Sequence, residues 1–136
     1  MNDLELLARI IQCEAGGEGE AGMRAVASVI MNRVTQRQGE YGRYNTVNDV
    51  VFAPRQFECA TDQPQNLYNM SPEQVHYSIA QWALGGGRDS DVSDALWFFN
   101  PYSETCRSSF PNNNGYFRVR IGNHCFYSPT SSYFST

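Results

Sequence analysis

The chain contains no lysine: all ten of its basic residues are arginine. Without a lysine amine, Schiff-base catalysis and a lysine-bearing phosphate loop are excluded. No G-x-S-x-G elbow occurs, which removes the usual serine hydrolase. No C-x-x-C pair occurs either, so neither a zinc ribbon nor a thioredoxin site is signalled. Histidine is reduced to His76 and His124, short of the three-ligand set a zinc amidase needs. There is no basic run, and the net charge is -4, which argues against a nucleic-acid partner. No stretch of about 18 apolar residues is present, so no membrane span is expected. The opening MNDLELLARIIQ has no basic leader or continuous apolar segment. A chain made in the cytoplasm without a secretory signal is therefore expected.

At 136 residues the chain is expected to form a single domain, 1–136, able to bury an ordinary core. Cys13, Cys59, Cys106 and Cys125 lie far apart. Two disulfides are possible, but the expectation is that most of the four are buried small hydrophobes.

Leu4, Leu7, Ala8 and Ile11 recur at helical spacing, with Asp3 placed to cap them. That helix must end near Glu14–Gly16, where Gly16, Gly17 and Gly19 weaken continuation and permit positive φ. A second helix begins near Glu18–Glu20, whose carboxylates suit the helix dipole. It carries Val26, Val29, Ile30 and Val34 on an apolar face, and Gly22 inside it implies close approach by the first helix. Residues 39–70 read as irregular, with a short helical turn around Val47–Phe52 and a loop-like run, Pro54–Asp62, that lines a site. A third helix follows Ser71, with Pro72 in its first turn and Gln74 completing a capping box, and stops at Gly85-Gly86-Gly87. Ala95–Asn100, Tyr116–Ile121 and His124–Tyr127 read as strands, the last two joined by Gly122-Asn123 in a type II′ turn. Helices followed by a small antiparallel sheet make an α+β domain.

Glu14 is the first candidate for chemistry. A carboxylate at a helix C-terminus opposes the dipole, and an apolar wall beside open space raises a Glu pKa into the range of a general acid. An exposed Glu merely finishing a helix is the competing and commoner reading. Glu18 and Glu20 are explained as well by capping; Glu58 and Asp62 are better candidates for a second carboxylate across a cleft, with a solvated loop residue as the competing and commoner reading of each. Phe57, Phe99 and Tyr102 are candidates for stacking on sugar rings, and Asn100 and Asn123 for holding acetamido groups. On a strand, His124 and Cys125 point to opposite faces and cannot form a dyad. Asp89, Asp91 and Asp94 lack the glycine and terminal Glu of an EF-hand and read as a solvated loop.

These residues also carry a resemblance. C-E-A-x-G-E followed by A-x-V-I-M-N-R-V (within Leu7–Val34), QFE (Gln56–Glu58), LWFFNP (Leu96–Pro101) and IGNHCFYSPT (Ile121–Thr130) resemble the SleB/CwlJ-type cell-wall hydrolases, the spore cortex-lytic enzymes of germination. The short length and the HCFY-x-P-T ending look like the CwlJ branch. The resemblance implies a lysozyme-like fold of the lytic transglycosylase kind, with its one essential Glu at Glu14 and no cofactor or metal. It implies cleavage of the β-1,4 bond between N-acetylmuramic acid and N-acetylglucosamine in cortex peptidoglycan bearing muramic-δ-lactam. It further implies a place at the boundary of spore coat and cortex, with a coat protein as partner. An N-acetylmuramoyl-L-alanine amidase, or a wall- or coat-binding module with little activity alone, are the alternatives.

Overall fold

The computed structural model describes residues 1–61 and 64–136, so Asp62 lies outside the described residues. The chain begins with α1 (Asp3–Ala15) and α2 (Gly19–Thr35). Three short helices follow, α3 (Val47–Val51), α4 (Glu58–Thr61) and α5 (Pro64–Tyr68), and then α6 (Gln74–Leu84). The strands β1 (Trp97–Phe99), β2 (Gly115–Ile121) and β3 (His124–Pro129) form an antiparallel sheet in the order β1-β3-β2. The α+β expectation holds. Among the described residues no helix is long and apolar enough to cross a membrane.

On α1 the predicted Leu7, Ala8 and Ile11 are fully buried, and Leu6 and Ile10 widen the stripe. The extra width arises because both α2 and α6 pack on this helix. Its cap is Asn2 rather than Asp3: Asn2 Oδ1 accepts from the Glu5 N–H at 2.8 Å, leaving Asp3 in the first turn. The cap of α6 also differs from expectation. Glu73 and His76 form the reciprocal box, with the Glu73 N–H donating to His76 Nδ1 at 2.9 Å. His76 is thereby committed to a helix end. Part of the run expected as loop, Glu58–Thr61, is helical as α4.

α2 is the central helix, and it carries polar groups into the interior where each finds a partner. Ser28 Oγ accepts from the Asp89 N–H at 2.9 Å, and Asn32 Nδ2 donates to the carbonyls of Ser93 and Ala95, both at 2.9 Å. Arg33 Nε donates to the Leu96 carbonyl at 2.7 Å. These bonds fix the path of residues 89–96 into β1 and keep the aspartate cluster a turn, as expected. Gly22 serves a different neighbour from the one expected. A Cβ there would lie 2.5 Å from Glu18 Cβ, so the glycine makes room for the Glu18 side chain and not for α1.

The sheet separates two cores by strand alternation. Phe98 and Phe126 face the helices, whereas Trp97, Cys125 and Tyr127 join Tyr41, Leu96 and Tyr133 in a second cluster. Gly122 has φ +57 and Asn123 is not left-handed, which fits the expected type II′ turn. The C-terminal turn Ser131–Ser135 inserts a fully buried Tyr133 beneath the sheet.

The cysteine expectation fails. All four are paired, Cys13 with Cys59 and Cys106 with Cys125. Four cysteines admit three pairings, and folding across 46 and 19 residues of sequence selects this one.

Candidate active site

Glu14 sits on the last turn of α1, half-buried and lining a cleft of about 560 Å³. The corner after it leaves the room that the glycines suggested. Gly16 closes the helix in a right-handed conformation, and a Cβ there would meet the Gln12 carbonyl at 2.5 Å. Gly17 has nothing within 4 Å of its Cβ position, and the positive φ falls later, at Gly19 (+76). Burial raises the Glu14 pKa to about 7; the charge of Glu58 adds to the rise and that of Arg33 opposes it. A carboxyl so placed is divided about equally between its protonated and ionised forms at neutral pH, the balance asked of a general acid that must later act as base.

Apart from Asp62, which lies outside the described residues, the residues chosen from sequence line this one cleft: Glu14, Phe57, Glu58, Phe99, Asn100, Tyr102 and Asn123. Their exposure differs. Phe57 is only 2% exposed and packs beneath Arg33 and beside Phe98, so it is a supporting wall and not an open stacking platform. Tyr102 is 90% exposed at the rim, in a left-handed conformation (φ +54), with its N–H donating to Asn100 Oδ1 at 2.7 Å. It is the open aromatic of the set. Phe99 stacks on Tyr127 at 5.7 Å and is half-buried. Glu58, on the first turn of α4, is exposed to the cleft.

Arg33 is the main residue that sequence reasoning passes over. It is 4% exposed, and its Nη1 donates to Gln56 Oε1 at 3.0 Å, an oxygen that also accepts from Tyr41 Oη at 2.9 Å. Its guanidinium lies 4.4 Å from the Tyr41 ring centre and 5.3 Å from that of Phe57. Burial lowers its pKa from a value so high that it stays charged. Among the described residues no carboxylate lies within 4 Å of it. A signal was present in the sequence: Arg33 continues the stripe of Val26, Val29 and Ile30, where a charge is out of place. A second hollow of about 370 Å³, lined by Arg55, Trp97 and Asn112 among others, adjoins the cleft and shares Arg33, Gln56 and Phe98 with it.

The opposite wall is held by Glu18. It occupies the N-cap position of α2 but makes no capping bond, contrary to expectation. Its carboxylate reaches the β2–β3 turn, accepting from Asn123 Nδ2 at 3.4 Å and lying 3.3 Å from His124 Nδ1. The latter pair is within ionic distance but not aligned as a hydrogen bond. Burial lowers the His124 pKa, and Glu18 works against that shift. His124 also meets Phe98 edge to face at 5.3 Å. Among the described residues no three His, Cys, Asp or Glu side chains cluster as a metal site would require.

A largely buried Glu14 lines an open cleft, and the family of the chain comes from sequence comparison. Residues 17–127 match the family model described as Cell Wall Hydrolase. The chain belongs to this family. Within it, the chain is 29% identical to the cell wall hydrolase CwlJ of Bacillus subtilis (strain 168), over 95% of this chain and 87% of that one. It is 33% identical to CwlJ of Halalkalibacterium halodurans, over 96% and 87%. The spore cortex-lytic enzyme of Bacillus cereus is 34% identical over 78% of this chain but only 38% of its own length, so the CwlJ branch is the better match in extent. Among solved structures, the catalytic domain of the germination-specific lytic transglycosylase SleB from Bacillus anthracis superposes with a TM-score of 0.70 at 29% identity. That superposition covers 94% of this chain and 95% of the SleB domain. The family match begins at Gly17, just beyond Glu14, whereas the structural match takes in nearly the whole chain.

Proposed function

We propose that this family member is a peptidoglycan lytic enzyme, a single catalytic domain over residues 1–136, that cleaves the β-1,4 bond from N-acetylmuramic acid to N-acetylglucosamine with Glu14 as its one catalytic carboxyl. The observation that carries the reading is a half-buried Glu14 with a pKa of about 7 lining an open cleft. Glu14 donates its proton to the glycosidic oxygen as the C1–O bond breaks, and N-acetylglucosamine leaves as the alcohol. The resulting carboxylate then takes the proton of the muramic 6-hydroxyl as that oxygen bonds to C1. A 1,6-anhydro ring results, and Glu14 regains its proton.

An internal nucleophile removes the need for a second catalytic carboxylate. Glu58 then acts through its field, helping Glu14 keep its proton before the first step. Arg33, whose charge favours the ionised form of Glu14, eases the moment when that proton has left. Tyr102 at the rim offers a ring for stacking on a sugar, and Asn100 and Asn123 offer amides to acetamido groups. The likeness to enzymes named for the spore cortex and for germination supports cortex glycan as the substrate, with muramic-δ-lactam its marker. Action at the coat–cortex boundary alongside a coat protein is part of the same proposal and rests on the resemblance to the CwlJ branch alone.

Glu14→Gln tests the role. Cortex lysis should fall by at least about 10²–10⁴-fold, the usual worth of a general acid, while wall binding and fold persist. Mass spectrometry of the wild-type digest should show anhydromuramic ends. Reducing muramic ends would mean hydrolysis, with Glu58 activating water, and freed stem peptides would mean an amidase.

A further inference from the structure

The two carboxylates that set the proton balance of the cleft are each next in sequence to a half-cystine, and those half-cystines are bonded to each other. Cys13 immediately precedes Glu14, Cys59 immediately follows Glu58, and the bridge closes 46 residues of chain. Its Cα atoms are 6.5 Å apart, so the backbone bearing Glu14 and the backbone bearing Glu58 cannot separate while it is intact. The backbone at Glu58 is also flanked by the buried Phe57 and Ala60, but its side chain has no such anchor. It is exposed, and among the described residues its carboxylate has no hydrogen bond or ion pair. The helix that carries it, α4, is four residues long, too short to hold itself together. The other bridge, Cys106–Cys125, lies in the second core on the far face of the sheet.

We propose that the Cys13–Cys59 disulfide is a positioning element of the active site, holding Glu58 and the α4 wall against Glu14, and that its reduction by a thiol weakens the enzyme at neutral and alkaline pH. Cys13 is partly exposed and lines the cleft, while Cys59 is 9% exposed, so a thiolate enters from the cleft and attacks Cys13 Sγ. That step forms a mixed disulfide and expels the Cys59 thiolate. A second thiol of the reductant then displaces Cys13. Two electrons and two protons pass to the protein, and the reductant leaves as its own disulfide.

The consequence for Glu14 follows from what sets its proton affinity. Burial and the nearby Glu58 charge both raise its pKa; the Glu58 charge is carried by α4, which also forms part of the cleft wall. With the tether cut, water reaches Glu14 and Glu58 drifts away, so Glu14 ionises at lower pH. This inference rests on the Glu14 mechanism proposed above, and the measurement separates the two.

The pH dependence of kcat is compared for wild type, Cys13→Ala/Cys59→Ala and Cys106→Ala/Cys125→Ala, all without reductant and below the onset of melting. The first double variant should move the alkaline limb down by about one pH unit, the scale of a like charge removed from a partly buried site. Cleavage should fall about tenfold at pH 8 and less than about twofold at pH 5, since one pH unit is a factor of ten. The second double variant should leave the limb where it is. A Cys13→Val/Cys59→Ala variant refills the space without the bond and should still show the shift. Wild-type protein titrated with a dithiol should reproduce it, which keeps the test open if a variant folds poorly. A ¹³C titration of the Glu14 carboxyl reports the same change without substrate. Superimposed profiles, or an equal loss at every pH, overturn the inference. Full activity of Glu14→Gln sinks the mechanism itself; an inactive Glu14→Gln with unmoved cysteine-variant profiles sinks only the tether.

Discussion

Burying Glu14 costs stability once its carboxyl ionises, and that cost has a measurable pH signature. Its folded-state pKa of about 7 lies above the ordinary value of 4.5, so the folded protein holds a proton that the unfolded chain gives up. The stabilising contribution of that proton is complete below pH 4.5 and is lost as pH rises through 7. Above that range the buried carboxylate costs about 3 kcal/mol, since a tenfold change in proton affinity is worth roughly 1.4 kcal/mol. Glu14→Gln is therefore expected to unfold at higher denaturant than wild type at pH 8, by up to about 3 kcal/mol, with the gap closing toward pH 5. A constant gap across that range would contradict the assigned burial. Glu58→Gln removes one of the two raising influences and leaves the other. The alkaline limb of its rate profile should move to lower pH by less than a full opening of the site would cause.

At the scale of elements, the corner between α1 and α2 and the β2–β3 turn act together through Glu18. Gly22 permits this by leaving space for the Glu18 Cβ. In an ordinary helix interior, Gly→Ala gains about 1 kcal/mol. Here the added methyl meets Glu18 Cβ at 2.5 Å and pushes the carboxylate off Asn123 and His124. Overpacking costs about 1–3 kcal/mol, so Gly22→Ala should lower the melting temperature where propensity alone says it should rise. The hairpin itself was legible from Gly122-Asn123 and the alternation of Tyr116–Ile121. The tie from Glu18 to it was not, because nothing local in residues 18–22 indicates a strand turn more than a hundred positions later.

At the scale of the whole molecule, long-range closures hold the second core. Tyr133 Oη accepts from the Tyr41 N–H at 2.9 Å and donates to the Gln38 carbonyl at 2.8 Å, while its ring meets Trp97 edge to face at 5.5 Å. Tyr133→Phe keeps the ring and orphans both backbone groups, and should cost about 1–3 kcal/mol in urea denaturation. A loss under about half a kcal/mol would mean that water replaces the hydroxyl. The two disulfides restrain the unfolded chain by about 3–4 kcal/mol each on loop-entropy grounds, so full reduction should lower the melting temperature well beyond any single substitution above.

By itself the sequence determined what depends on periodicity and local chemistry. It placed the end of α1 and the start of α2, the alternating strands with their turn, and a Glu unfavourable to its own helix dipole beside a glycine corner. Those features are written in residues three or four apart on a helix, or two apart on a strand, and need no partner to be read. Tertiary structure alone decided the partners. It chose Cys59 for Cys13, set Arg33 among the Tyr41 and Phe57 rings, turned Glu18 from a helix cap into a brace on the hairpin, and buried Phe57 instead of leaving it open to sugar. Periodicity tells which face of an element is covered and never by what. The proton affinity of Glu14, which rests on burial and on a carboxylate 44 positions away in the chain, exists only once those faces have met.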